Sequence, residues 1–339
     1  MDQKSNQLFP ALLISLLLLF GCADQNLQQA NQLNQSVQPN TQPPTKIFVP
    51  PTRESAIPSD AIKVTPETDV NPPKSKSLEY SDPIPLPAQI NTAGAEDSPF
   101  VTPDGSTLYL FFTPDVRIPV EKQILDNVTG IYVSRKNPTD GSWSNPERVL
   151  LTEPGKLAMD GCEFVRGNAM LFCSAREGYS GVNWFSAEFV NGKWQNWKLE
   201  TFDPTYKVGE LHISSDGNEL YFHSDRPGGK GELDIWMSKR VNGVWQQPQN
   251  TELKTLNTER SDGWPFISED GSELWISRDY GLWRSKKING TWQTPELMFS
   301  PLAGEASLDR EGNVYFVHHY FRNNTMIEAD IYVAKRKTT

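Results

Sequence analysis

The 339-residue chain is poor in cysteine and histidine, with three and four of them, and shows no cluster of lysine or arginine against a net charge of −10. Phosphate binding needs a positive footprint, so no nucleic-acid partner is expected. Gly-x-Ser-x-Gly is absent, which removes the nucleophile elbow of serine hydrolases. A phosphate-cradling loop is missing too: Pro227-Gly228-Gly229-Lys230-Gly231 lies between two expected strands, with no helix start behind it to carry an anion. His318 and His319 are adjacent on an expected strand, so their side chains should face opposite ways and not chelate one metal together. The apolar run Leu8 to Phe20, broken by Pro10 and Ser15, is short for a bilayer span.

That run fits the apolar part of an export signal, and it ends in Leu19-Phe20-Gly21-Cys22. The ending resembles a lipobox. The resemblance implies a lipoprotein signal peptide over 1–21, a lipid-modified Cys22, and attachment to a membrane of the cell envelope. Ala23 in place of Asp resembles lipoproteins sent to the outer membrane in two-membrane cells, facing the periplasm or the cell surface. Residues 22–76 are rich in Gln, Asn, Pro, Ser and Thr, with Phe48 their one aromatic. Such a stretch buries too little apolar surface to offset its ordering entropy, which predicts a disordered tether.

What the chain has in quantity is a repeat. Its clearest copy runs from Val208 to Gln249: strand, Asp216-Gly217 turn, strand, a Gly-rich loop, a third strand, Asn242-Gly243, and a short fourth strand. The strand-turn-strand part recurs five times, beginning at Ser98, Cys162, Leu211, Trp264 and Glu305. The outer turn and strand recur four times, from Asp140, Asn191, Asn242 and Asn289. Trp143, Trp194, Trp245 and Trp292 share one repeat position, which reads as packing within the unit. The fold expected for 77–339 is all-β, a five-bladed β-propeller. Its last copy lacks an outer strand. Tyr80-Ser81-Asp82-Pro83 followed by Ile90-Asn91-Thr92 parallels Trp245 to Pro248 followed by Leu256-Asn257-Thr258, so an N-terminal strand is expected to complete the last blade.

The Asp-Gly hairpins, Ser224-Asp225-Arg226-Pro227-Gly228-Gly229 and the following Asp234-Ile235-Trp236 resemble the TolB-like, WD-type propeller repeat of bacterial envelope proteins, over Tyr80 to Lys337. Two copies depart from it, with the shorter turns Arg166-Gly167-Asn168 and Asp279-Tyr280-Gly281. The resemblance implies envelope partners without naming them.

A two-residue turn at Gly167-Asn168 sets Cys162 opposite Cys173, which allows either a cross-strand disulfide or two reduced core thiols. Aligning the copies on their turns puts Glu96-Asp97, Asp160-Gly161, Val208-Gly209, Asp262-Gly263 and Ala303-Gly304 in register, followed by Ser98, Cys162, Glu210, Trp264 and Glu305. In a propeller these strand ends surround one mouth of the channel. Glu96, Asp97, Asp160, Glu163, Glu210, Asp262 and Glu305 are thus expected to converge there with His212 and Trp264 as ligand-binding candidates. Asp160 and Asp262 also suit a structural role, bonding backbone amides of the neighbouring unit. Glu163, Glu210 and Glu305 depart from the repeat, and packing alone does not call for them. Several carboxylates on one axis raise one another's pKa unless a cation intervenes; calcium is compatible, but no calcium-loop spacing occurs, so the metal stays open.

The expected function is a cell-envelope lipoprotein acting as a binding scaffold for a protein or glycan partner, with no cofactor and no committed catalytic residue. The alternative is a glycan-active enzyme. Arabinanase-type glycosidases, which the chain resembles only in blade number, suggest Asp97 as base, Asp160 as orienting carboxylate, Glu210 as acid and Trp264 as sugar platform. A scaffold predicts an obstructed mouth; an enzyme predicts an open acidic funnel.

Overall fold

The computed structural model describes residues 51–337; the expected signal peptide and Cys22 lie outside them. Among the described residues the regular elements are nearly all strands, relieved by the short helices Arg53–Ala56 and Val120–Gln123 and one 3-10 turn, Thr251–Leu253. Hydrogen bonding divides it into four sheets of six, four, four and eight strands. None of them closes on itself.

Each strand-turn-strand copy in the sequence is a hairpin. The inner strands are Ala95–Val101, Ala158–Arg166, Leu211–Ile213, Gly263–Ile267 and Ala303–Leu308, and each pairs antiparallel with the strand that follows it. Turn chemistry sets the register. In three copies an aspartate after the inner strand, Asp104, Asp216 or Asp270, accepts the backbone N–H two residues on, and the following glycine takes a positive φ. The outer reversals at Asn191-Gly192, Asn242-Gly243 and Asn289-Gly290 have both residues at positive φ, the two-residue geometry that matches strand twist. Outer strands are mostly two residues long; Lys193–Glu200 is the long exception.

The N-terminal part pairs with the C-terminal part. Ile84–Pro85 lies antiparallel to Thr325–Ala334, and Tyr80 bridges to Arg336. The Asn91/Asn257 parallel extends to atoms. Asn257 donates to Ile235 O at 2.9 Å and accepts from Ile235 N at 2.8 Å, while Asn91 does the same with Ile331 at 2.9 and 3.0 Å. A single parallel pair, Ala329 with Ala95, links the last copy's third strand to the first copy's inner strand.

The last part of the expected tether, residues 51–76, is largely exposed but meets the body at several points. Arg53 is 4% exposed and donates to the carbonyls of Ile90 and Gln89 at 2.9 and 2.6 Å. Lys63 pairs with Glu328 and Asp330, Asp69 meets His318 Nε2 at 3.1 Å, and Lys74–Ser75 pairs with Glu296–Ser300. Composition gives no sign of this because most of the contacts are made by charges and backbone, with Ala56, Ile57 and Val64 adding apolar packing.

Candidate functional site

The inner strands share a local irregularity. In four copies the register slips one residue after the strand's start, between Asp97 and Phe100, Gly161 and Phe164, Gly263 and Phe266, and Gly304 and Ser307. The bulged residue in each is left-handed: Ser98 at φ 46°, Cys162 at 52°, Trp264 at 51° and Glu305 at 55°. A β-bulge of this kind re-aims a side chain, and a non-glycine residue there carries backbone strain. The third copy has Glu210 in this place without a positive φ. All five side chains turn inward to line one cavity.

That cavity has a volume of ≈ 50 Å³, and Glu163 joins Ser98, Cys162, Glu210, Trp264 and Glu305 in its wall. Below them the inner strands contribute Phe100, Phe164, His212 and Phe266. His212 lies 4.7 Å from Phe164 and 4.2 Å from Phe266, ring centre to ring centre, so it completes an aromatic floor. Burial holds its imidazole down to about 3, so it is neutral. Trp264, 8% exposed, is part of the packed wall and offers no open sugar platform.

Three expected members are not in that wall, and each has a partner of its own. Asp160 accepts from Ser174 Oγ at 2.6 Å and from Arg176 Nη2 at 2.7 Å, within its own sheet. Asp262 accepts from Thr258 N and Oγ1 at 2.7 and 2.9 Å and pairs with buried Arg278. Glu96 repeats this on Thr92 N and Oγ1 at 2.8 and 2.6 Å, with Arg53 at 3.8 Å. Side chains at this repeat position point away from the axis, so Glu96, Asp160 and Asp262 anchor connectors and strands. Asp262 bonds the amide of an incoming connector, as a structural role requires, whereas Asp160 uses its own unit.

The axial acids differ. Glu163 is 6% exposed, and neither of its carboxylate oxygens has a hydrogen-bond partner among the described residues; Glu210 Oε1 is also buried without one. Burial holds the Glu163 carboxyl well above the ordinary range, against a pull from its own backbone amide too poorly aligned to count as a hydrogen bond and with repulsion from Glu210 and Asp97 adding to it. Glu305 is raised by burial and then by Asp97 and Glu210, although Ser98 Oγ donates to its Oε2 at 2.6 Å. Glu210 is pushed up to about 8 by burial and by Asp97. Like charges this crowded do not all ionise together without a counter-ion.

Asp97 stands just outside the cavity wall. It occupies the position held by glycine in the other four copies, where a Cβ on Gly209 would come within 2.2 Å of His223. Asp97, Glu305 and His319 bring three ligand atoms within 4.8 Å of one another. His319 was not among the expected members. The alternation that sets it opposite His318 was legible, and His318 does turn away, to Asp69 and the Leu302 carbonyl. What lacked a sequence signal was the pairing of its strand with the bulge carrying Glu305.

Cys162 and Cys173 are joined as a disulfide, Cα atoms 5.4 Å apart. The bulge alters the expected register: Gly161, not Cys162, is paired with Cys173.

No family model matches the chain, and no curated protein matches it. Among solved structures it is similar to a β-xylosidase, RS223, at 11% identity over 76% of this chain and 96% of the other, TM-score 0.47. A gluconolactonase from Xanthomonas campestris gives 12% identity, 78% and 95% coverage and a TM-score of 0.43. A TolB protein from Agrobacterium tumefaciens gives 12%, 76% and 97%, and 0.39. These are loose superpositions, and the chemistry of the cavity has to be read from its own side chains.

Proposed function

We propose that the chain is a lipid-anchored cell-envelope protein whose body is a five-bladed β-propeller, closed by the segment around Tyr80 to Asn91, acting as a binding scaffold. The convergence of five inner strands on one cavity, and the matched Asn91 and Asn257 bonds, support the five-bladed reading. Its partner is an envelope protein or a glycan held on a face of the ring.

The observation that carries the scaffold reading is the size of the axial cavity. A volume of ≈ 50 Å³ holds about three or four waters, whereas small-molecule pockets run to roughly 300–1,000 Å³. The alternative acid-base set also loses a member, because Asp160 is committed to Arg176 and Ser174.

One observation favours the glycan-active enzyme. A carboxyl held at about 8, as Glu210 is, carries a proton at neutral pH and has the character of a general acid. The deciding experiment is a polysaccharide and aryl-glycoside hydrolysis panel run on the wild type, Glu210→Gln and Asp97→Asn. The scaffold reading expects no turnover by any of the three. Turnover by the wild type that both substitutions abolish would replace it with the enzyme.

A further inference from the structure

We propose that Asp97, Glu305 and His319 bind a divalent first-row transition-metal ion, of the Mn²⁺ or Zn²⁺ kind, at the junction of the first and last repeat units. Their three ligand atoms lie within 4.8 Å of one another. An ion at about 2.0–2.5 Å from each ligand accommodates that spacing with small side-chain adjustment. The imidazole decides the class of ion. Calcium and magnesium take oxygen ligands, whereas nitrogen from histidine beside two carboxylates suits manganese, iron or zinc.

Two further observations point to a ligand. His319 is 5% exposed and holds its Nε2 3.9 Å from Asp97 Oδ1, beyond hydrogen-bond reach and wide enough for an ion between them. The adjoining cavity, which Glu305 also lines, holds the unpartnered carboxylate of Glu163. A cation at its edge would lower the cost of ionising that carboxyl. Ser98 Oγ, donating to Glu305 Oε2 at 2.6 Å, orients one ligand from behind.

Repeat comparison separates this role from packing. Four of the five copies have glycine where Asp97 stands, so the fold does not need a side chain there. Asp97 belongs to the first copy and Glu305 and His319 to the last. Strand pairing joins these copies at Ala95 and Ala329, with Arg310 N donating to the Pro103 carbonyl and Val101 N to Ser307 Oγ beside it. The ion would tie them together by side chains at that join, independently of what the protein binds elsewhere.

The test is calorimetric titration of the whole, EDTA-stripped protein with Mn²⁺, Zn²⁺, Ca²⁺ and Mg²⁺, with melting followed in parallel. We expect one site that takes Mn²⁺ or Zn²⁺ at least about ten-fold more tightly than Ca²⁺ or Mg²⁺, and a melting transition raised by the bound ion. Asp97→Gly gives the first copy the residue of the other four, so in EDTA it should melt close to the stripped wild type. It should also bind the ion about 10–100-fold more weakly, as should His319→Gln. Failure of every ion to saturate the wild type below millimolar concentration would overturn the proposal. So would variants that bind within two-fold of the wild type, or calcium binding as tightly as manganese and zinc. Should Asp97→Gly fail to fold, the His319→Gln comparison and the wild-type titration still decide.

Discussion

Asp160 and Glu163 stand on the same strand and are both buried, yet Asp160 accepts from Ser174 and Arg176 while Glu163 has no partner. The contrast holds across the copies. Glu96 and Asp262 are bonded to threonines of the preceding connectors, whereas Glu163, Glu210 and Glu305 crowd one small cavity. A buried acid with its own arginine or amides belongs to the fold. One without them makes folding harder, so its presence needs a reason other than stability.

Breaking the partnered set should cost most. Asp262→Ala leaves Arg278 buried without its counter-charge, and removing one partner of a buried pair costs about 3–5 kcal/mol. Urea denaturation should show the free energy of unfolding fall by that amount. A loss below about 1 kcal/mol would erase the distinction between the two sets.

A change of pH probes the cavity acids one at a time, and it does not by itself separate the two sets, since burial also pushes partnered Glu96 up to about 8 and raises Asp262. Glu210 titrates at about 8 in the folded protein against an ordinary value of 4.5. The folded state therefore keeps a proton that the unfolded chain has released. Its stabilising contribution is complete below about 4.5 and is lost as pH rises toward about 8. In EDTA, the wild type should lose on the order of 2 kcal/mol more than Glu210→Gln between about pH 5 and 8. Parallel pH profiles would show that the carboxyl is not held protonated by its surroundings.

Glu163→Leu sharpens the comparison from the other side. Replacing an unpartnered buried carboxyl by an apolar group of similar size should be neutral or stabilising by about 1 kcal/mol. A loss of about 2 kcal/mol or more in urea would mean that Glu163 has a partner that stabilises it. The smallest effect sets the baseline. Arg310 and Glu269 form an exposed pair at 2.8 Å, and Arg310→Ala should change stability by less than about 0.5 kcal/mol.

The hairpins were legible because their signals are local: Asp-Gly and Asn-Gly turns demand particular backbone angles, and alternation fixes which side chains face inward. The departure of Glu163, Glu210 and Glu305 from the repeat was legible too, and all three reached the cavity. Glu96, Asp160 and Asp262 were placed with them because alignment gives position along a strand but not the one-residue slip that follows. That slip turns the next residue to the axis and sends its predecessor the other way. His319 went unnoticed because its relation to Asp97 passes through the meeting of the first and last copies, a contact of long sequence separation. The docking of residues 51–76 was hidden for a related reason, since the charges they meet, Glu328 and Asp330, lie near the opposite terminus.

The left-handed bulges have a consequence for how such a chain changes. Four inner strands offer one residue to the cavity through a left-handed kink and the third offers Glu210 without one, so the five form a short word, Ser, Cys, Glu, Trp and Glu, of which only Cys162 is tied into the core by a disulfide. Rewriting a letter alters what the centre attracts while the surrounding sheets keep their spelling. A library confined to Ser98, Glu210, Trp264 and Glu305, with the disulfide-bonded Cys162 kept, would explore new ligands on the same frame.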